Sequence, residues 1–269
     1  MKSIRGSSGT WQPVLGAAIG ASLLALATPV LATHAWNNYH WKRTTAELTV
    51  AIGDNVSAAW DSYLSTAVSD WNQSTVINSP LVPGSTRVAN CRPVAGTIQV
   101  CNRTYGSNGW LGIATIWLSG GHISQGTTKL NDYYFNTASY NTPAWRRLVM
   151  CQEIAHDYGL DHQDENFNNP NLGTCMDYTS NPTGPPSNEH PNAHDYEQLL
   201  AIYNHFESSF GASQIASVSE PGDTPAEWGR PIHFLRDGRP DVYERVEGPG
   251  RKVITHVFWA LGEGPRRSR

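Results

Sequence analysis

Two hydrophobic periods follow one another in the first third of the chain. Residues 47–56, ELTVAIGDNV, alternate apolar and polar positions, which predicts a β-strand. Residues 57–74 then repeat apolar side chains every three to four positions, at Trp60, Leu64, Ala67 and Trp71. This second spacing predicts an amphipathic helix that packs on a sheet.

The middle of the chain, residues 75–140, favours short strands over helices. It is rich in Gly, Asn, Thr and β-branched residues. The predicted strands include residues 97–105, 110–118 and 127–135. A helix is predicted from about residue 143 to residue 158.

An irregular segment separates this helix from the last one. Residues 164–191 are rich in Asn, Pro, Gly and Ser, which is typical of a loop. Residues 192–206 return to helical spacing, with one apolar face formed by Tyr196, Leu199, Leu200 and Tyr203. Basic and acidic residues nearly balance in residues 213–269, unlike the acidic span before them. We therefore predict a main domain over residues 33–212 and a C-terminal extension of unknown role.

The first 32 residues have the features of an export signal. Lys2 and Arg5 give a positive start, an apolar run follows, and Val30, Leu31 and Ala32 form a small-residue cleavage site. We expect a secreted, extracellular protein without a membrane contact after cleavage. The length of the apolar run leaves an uncleaved membrane anchor as the alternative.

Charge narrows the class of partner. Charged residues make up 16% of the chain, and the formal net charge is −4. Nucleic-acid binding needs a basic patch or stripe, so we expect no nucleic-acid partner.

Four cysteines are present in a chain expected to enter an oxidising compartment, where an even number usually pairs. Three pairings are possible. We favour Cys91 with Cys101, which closes a short loop and leaves Cys151 with Cys175. Four free buried thiols are the alternative.

A metal-binding pattern occupies residues 152–162, QEIAHDYGLDH. Residues four apart share one helix face, so Gln152 and His156 point the same way. Glu153 is angled toward a water on an ion held there, and Gly159 allows a turn that returns His162 to the same point. Three protein ligands with one open position are what a catalytic zinc ion requires.

The same residues resemble the metzincin pattern H-E-x-x-H-x-x-G-x-x-H at every specified position except the first. The methionine turn of that family has its counterpart in GTCMDYTS. The resemblance implies zinc ligation by His156 and His162, with Glu153 as general base. It also implies that Met176 lies beneath the metal and that Tyr178 steadies the oxyanion.

Other segments extend this resemblance over about residues 38–210. Residues 109–132 look like the metzincin strand that pairs with an extended substrate, and residues 192–206 look like the last helix of that fold. The sequence YHWKR before the first strand is similar to the matrixin branch. The resemblance implies an α+β fold with a twisted mixed sheet and packed helices, and an extended peptide as partner. We also expect a monomer.

Gln152 is the departure from the pattern. An amide oxygen is a weaker zinc donor than an imidazole nitrogen, although two imidazoles and one amide oxygen can still hold the ion. Asp161, Asp164, His190 or His194 are alternatives for the missing ligand, and the spacing selects none of them. We interpret His122 as a strand or cleft-wall residue. The remaining histidines are interpreted as surface or packing residues: His34, His40, His205, His233 and His256.

The sequence thus predicts a secreted, zinc-dependent endopeptidase in which Gln152, His156 and His162 hold the metal. The alternative is a catalytically impaired secreted module that binds extended peptides without cleaving them.

Overall fold

The computed structural model describes residues 34–207 and 220–265. All of them belong to the compact unit Thr33–Arg269. The predicted export signal, residues 1–32, and the predicted boundary after residue 212 lie outside the described residues.

Strands and helices follow one another along this unit. The described strands are β1 (His40–Trp41), β2 (Leu48–Thr49), β3 (Ala51–Asn55), β4 (Ile77–Asn78), β5 (Leu81–Pro83), β6 (Thr97–Arg103), β7 (Trp110–Ser119), β8 (His122–Asn131), β9 (Arg230–Phe234), β10 (Pro240–Gly248) and β11 (Arg251–Trp259). The described helices are α1 (Asp61–Trp71), α2 (Asp132–Phe135), α3 (Pro143–Asp157), α4 (Ala193–Tyr203) and α5 (Pro225–Trp228).

Nine of these strands form one mixed sheet. Its order is β5-β3-β6-β8-β7-β11-β10-β9, and β1 pairs with β8 beside this path. Strands β5, β3, β6 and β8 pair with one another in parallel, whereas the pairs from β8 through β7, β11 and β10 to β9 are antiparallel. This mixed sheet with packed helices confirms the α+β class.

Two predicted strands end differently from the expectation. The predicted strand at residues 47–56 is divided at Val50, so that β2 pairs with β4 while β3 joins the main sheet. The strand predicted at residues 127–135 stops at Asn131, and residues 132–135 are helical. The cause is the buried Asn131 side chain, whose oxygen accepts from the backbone N–H of Tyr133 at 3.2 Å and so caps α2.

The largest difference concerns the C-terminal strands. Strand β11 pairs antiparallel with β7 from Arg251 opposite Ser119 to Trp259 opposite Trp110. Residues 230–259 therefore complete the main sheet. In this conformation β8 and β11 take both edges of β7, so neither edge of that strand is free for an extended peptide.

Helix α3 lies against β7 and β8, and α1 lies against α3. Trp71, Leu148, Val149 and Ile154 are buried in this layer. Burial of each such side chain contributes roughly 1.5–3 kcal/mol to folding. The core therefore fixes the helix that carries the metal-binding pattern against the centre of the sheet.

Both favoured disulfides are present, Cys91–Cys101 and Cys151–Cys175, each with 6.0 Å between Cα atoms. The second bridge joins α3 to the segment that carries Met176. Among the described residues, no helix combines the length and apolar character needed to cross a bilayer.

An ion pair at the end of the sheet predicts a pH-dependent stability. A hydrogen bond of 2.8 Å to Asp241 outweighs partial burial and raises the pKa of His233 to about 9, from an ordinary value of 6.5. The stabilisation is complete below pH 6.5 and is lost as the pH rises through about 9.

We expect the unfolding free energy of His233→Gln to decline less than that of the parent between pH 6.5 and 9.5. Urea titrations across this range measure the decline. Parallel curves for the two proteins would contradict the ion pair.

Candidate metal centre

The C-terminal half of α3 carries the metal-binding pattern into the interior. The helix begins at Pro143 after Thr142, whose hydroxyl oxygen accepts from the backbone N–H of Trp145 at 3.3 Å. Gln152, Glu153 and His156 are all buried in its last turns. Buried polar side chains need specific partners, so each one in this region calls for an account.

His156 presents one ring nitrogen to the site. Its Nδ1 lies 2.8 Å from the carbonyl oxygen of Leu160, which assigns the proton to Nδ1 and leaves Nε2 as an acceptor. Within residues 34–207 and 220–265, that buried Nε2 has no hydrogen-bond partner. Burial lowers the pKa of His156 well below its ordinary value, and the nearby His256 and His162 lower it further. The ring is therefore neutral, as a metal ligand must be.

Gly159 permits the turn that brings His162 back. Its φ is +89°, and a Cβ there would lie 2.0 Å from the carbonyl oxygen of Tyr39. Both conditions select glycine. Beyond this turn, His162 is buried, and neither of its ring nitrogens has a hydrogen-bond partner in the part of the chain that the structure describes.

His256 is the third member of this site, whereas the sequence analysis interprets it as a surface or packing residue. It lies on β11 opposite Ala114 of β7. Its ring stacks on that of His156, with centroids 3.7 Å apart and planes 11° apart, and its centroid is 4.7 Å from that of His162. One nitrogen from each of the three rings lies within 4.8 Å of the others. We call His156, His162 and His256 the buried histidine cluster.

A local signal for His256 does exist in the sequence. Residues 253–259, VITHVFW, are otherwise apolar apart from one threonine, and all seven are buried. A histidine in the middle of such a strand needs a partner inside the protein. The pattern does not say which strand pairs with it, so the partner cannot be identified from sequence.

Gln152 is held by the segment that carries the methionine. Its Nε2 donates to the carbonyl oxygen of Cys175 at 2.6 Å. Its Oε1 is buried and has no hydrogen-bond partner among the described residues. The amide is thus anchored through its nitrogen, and its oxygen remains available one helical turn from His156.

Glu153 points from α3 toward β7. The backbone of Ala114 hydrogen-bonds to its carboxyl group, and a Cβ on Gly112 would lie 2.8 Å from its Oε1. Gly112 therefore leaves the space that this carboxyl group occupies. Burial raises the pKa of Glu153 well above its ordinary value, and nearby Asp157 raises it further. Its Oε2 has no hydrogen-bond partner within the described ranges.

Met176 and Tyr178 lie across the site from α3. The carbonyl oxygen of Met176 accepts from the backbone N–H of Gln163 at 2.6 Å, and its side chain is fully buried. The Tyr178 ring lies 4.2 Å from the His162 ring, measured between centroids. Its hydroxyl is buried without a hydrogen-bond partner among the residues described, and burial raises its pKa well above the ordinary value.

Three of the four other candidates for the missing ligand contact residues outside the site. His190 bonds to Asp70 at 2.7 Å, and His194 lies 3.7 Å from Glu197. Asp164 accepts from the backbone N–H of Asn166 at 2.6 Å. Asp161 approaches the cluster more closely: one of its oxygens is 3.6 Å from Nε2 of His256 and 3.8 Å from Nδ1 of His162.

The residues of this site fit a zinc ion. Buried polar atoms without partners cost about 1–3 kcal/mol each. Such atoms around this site belong, among others, to Gln152, Glu153, His156, His162, Tyr178 and His256. Several neutral imidazole nitrogens form the donor set that zinc prefers. One divalent cation would give these nitrogens the partner that they lack.

Comparison with known proteins gives only distant similarity. No protein-family model matches this chain, and no curated protein sequence matches it. The solved structures similar to it include high choriolytic enzyme 1, a hatching-enzyme zinc protease from the medaka Oryzias latipes. That similarity has 13% identity and a TM-score of 0.34, over 61% of this chain and 94% of the enzyme. Myroilysin matches with 13% identity and a TM-score of 0.36, over 64% of this chain and 98% of its own. At these values the residues of this chain alone must carry the chemical interpretation.

The turn at Gly159 yields a prediction with a matched control. Gly121 has nearly the same φ, +90°, but a Cβ there would meet nothing within 4 Å. Gly159→Ala adds a clash with Tyr39 to the same backbone strain, so we expect it to cost about 2 kcal/mol more than Gly121→Ala. Urea denaturation measures both values. Equal losses would mean that the turn does not pack against Tyr39.

Proposed function

We propose that this protein is a zinc-dependent, metzincin-like endopeptidase held closed by its own C-terminal strand. The observation that supports it best is the buried histidine cluster, with unpartnered ring nitrogens beside the buried carboxyl group of Glu153. The two disulfides and the export-signal features support secretion. Peptides or proteins bound in extended form are the proposed substrates.

In the described conformation, His156, His162 and His256 would hold the zinc ion. The unpartnered Oε1 of Gln152 is the fourth donor that we propose. Bound zinc would polarise a carbonyl group and acidify a water molecule. Four protein donors would leave no open position, which is typical of a zinc ion that does not catalyse.

Glu153 and Tyr178 would move and stabilise charge during hydrolysis. Burial raises the pKa of Glu153 above its ordinary value, so its carboxylate is a stronger base than one in water, as a general base requires. Its carboxylate would take the proton of the attacking water and return it to the leaving amine. The Tyr178 hydroxyl, which donates to no described group, would donate to the oxygen of the amide as negative charge develops there.

The pairing of β11 with β7 is the feature of the sheet that closes the proposed site. Strand β11 takes the edge of β7 where an extended peptide would pair, and His256 comes with it. We propose that a substrate replaces β11 along β7 and that His256 then leaves the cluster. Gln152, His156 and His162 would remain as ligands, with one position open for water. Gln152, although a weak zinc donor, would thus be one of the three protein ligands once the substrate has replaced β11.

A non-catalytic module is the second candidate. The observation that favours it is the closure itself, because Glu153 and all members of the buried histidine cluster are buried. In that case zinc would join β11 to α3 as a structural link. The experiments below separate the two functions.

Removing the third imidazole tests the metal site. We expect His256→Gln to weaken zinc binding at this site by at least tenfold, because an amide replaces a strong donor. Competition with a chelator of known affinity measures the change. His190→Gln, on an exposed histidine outside the cluster, should keep the parental affinity. Unchanged affinity in His256→Gln would contradict the assignment.

Activity is tested in zinc-saturated protein. We expect His256→Gln to cleave casein faster than the parent, because β11 loses its bond to the site. Adding Glu153→Gln to the His256→Gln variant should lower the rate of casein cleavage at least a hundredfold while zinc remains bound. Equal cleavage with and without Glu153 would contradict the peptidase. Peptide binding without any cleavage would establish the module.

A further inference from the structure

A second group of metal-ligating side chains lies outside the buried histidine cluster. It consists of His40 at the start of β1, His122 at the start of β8, and His205 and Glu207 just after α4. We call these four residues the surface cluster. Neither the pattern at residues 152–162 nor the proposed peptidase uses any of them.

The ligand atoms of the surface cluster converge on one carboxylate oxygen. His40 Nε2 lies 3.3 Å from Oε1 of Glu207, and His205 Nε2 lies 3.9 Å from it. His122 Nε2 also contacts this oxygen. One ligand atom each from His40, His205 and Glu207 lies within 4.8 Å of the others. Ligands of a tetrahedral zinc ion at about 2.0–2.1 Å stand roughly 3.3 Å apart, so these spacings need little adjustment.

The backbone brings the four residues together before any ion binds. His40 and His122 are direct partners in the parallel pairing of β1 with β8. The backbone N–H of Glu207 donates to the carbonyl oxygen of Arg43 at 2.9 Å. The guanidinium of Arg43 in turn donates to the carbonyl oxygen of Tyr203 and lies 4.8 Å from the Phe206 ring centroid. The segment after α4 is therefore fastened to the segment after β1.

Ion pairing alone does not explain the arrangement. The His40 ring lies 5.0 Å, between centroids, from the rings of both His122 and His205. Three imidazolium ions at this spacing would repel one another around a carboxylate that carries a single negative charge. The second oxygen of that carboxylate, Oε2, is buried and has no hydrogen-bond partner among the described residues. A divalent cation on the first oxygen resolves the repulsion, because neutral imidazoles and a carboxylate are its ligands.

We propose that the surface cluster binds Zn²⁺ or a similar first-row transition metal, with His40, His205 and Glu207 as ligands. His122 bonds to the carboxylate and positions it. The side chain of His205 is 46% exposed, so an ion can enter from solvent without opening the fold. The bound ion joins the first strand of the sheet to the segment that follows α4.

The test counts metal ions on the full chain. Equilibrium dialysis against Zn²⁺ and Co²⁺ compares the parent with His205→Gln and Glu207→Gln, and His190→Gln serves as the matched surface control. We expect His205→Gln and Glu207→Gln each to bind one equivalent of metal fewer than the parent. The His190→Gln control should bind as much metal as the parent. His122→Gln should keep the stoichiometry and weaken this site by about 10–100-fold, as loss of a positioning partner does.

Far-ultraviolet circular dichroism and urea denaturation establish that each variant is folded. The proposal would be overturned if His205→Gln and Glu207→Gln, each folded, bound metal with the stoichiometry and affinity of the parent. The His256→Gln variant tests only the buried histidine cluster. A failed prediction for one metal site is therefore distinguishable from a failed prediction for the other.

Discussion

The antiparallel pairing of β11 with β7 is the interaction on which the candidate centre depends. It runs from Arg251 opposite Ser119 to Trp259 opposite Trp110 and places His256 opposite Ala114. The backbone of the same Ala114 bonds to Glu153 of α3. One short stretch of β7 therefore lies between the strand that carries His256 and the helix that carries Gln152, Glu153 and His156. Without β11, both the closure of the site and its third histidine would be lost.

The desolvated polar atoms of this site are the observation that supports the proposed cation. His156 and Gln152 each use one polar atom for a backbone carbonyl, of Leu160 and Cys175 respectively. Their second polar atoms are buried and lack partners among the described residues. Side chains fixed by one atom and presenting the other are typical of metal ligands with an outer shell of hydrogen bonds. Burial lowers the pKa of His156 and of His256, which favours neutral rings of the kind that the proposed zinc ion requires.

Much of the fold and part of the site could be predicted from the sequence, because those parts are local. Helical spacing around residues 143–158, the φ > 0 turn at Gly159 and the pairing of close cysteines all depend on neighbouring residues. The role of His256 depends on β7, more than 130 positions earlier in the chain. Periodicity identifies a buried strand but not its neighbour in the sheet, so the balanced charge of residues 213–269 suggested a separate extension instead. The strand end at Asn131 has a different, local cause: the Asn131 side chain caps the next helix and outweighs the β-propensity of the following tyrosines.

The central claim is that one zinc ion joins β11 to α3. A crystal structure of the full chain grown with zinc, with anomalous diffraction recorded on both sides of the zinc absorption edge, tests it most directly. The account predicts an anomalous peak bonded to His156, His162 and His256, at about 2.0–2.1 Å from each nitrogen. A peak on His156 and His162 with His256 turned away, or no peak at all in a folded chain, would contradict it.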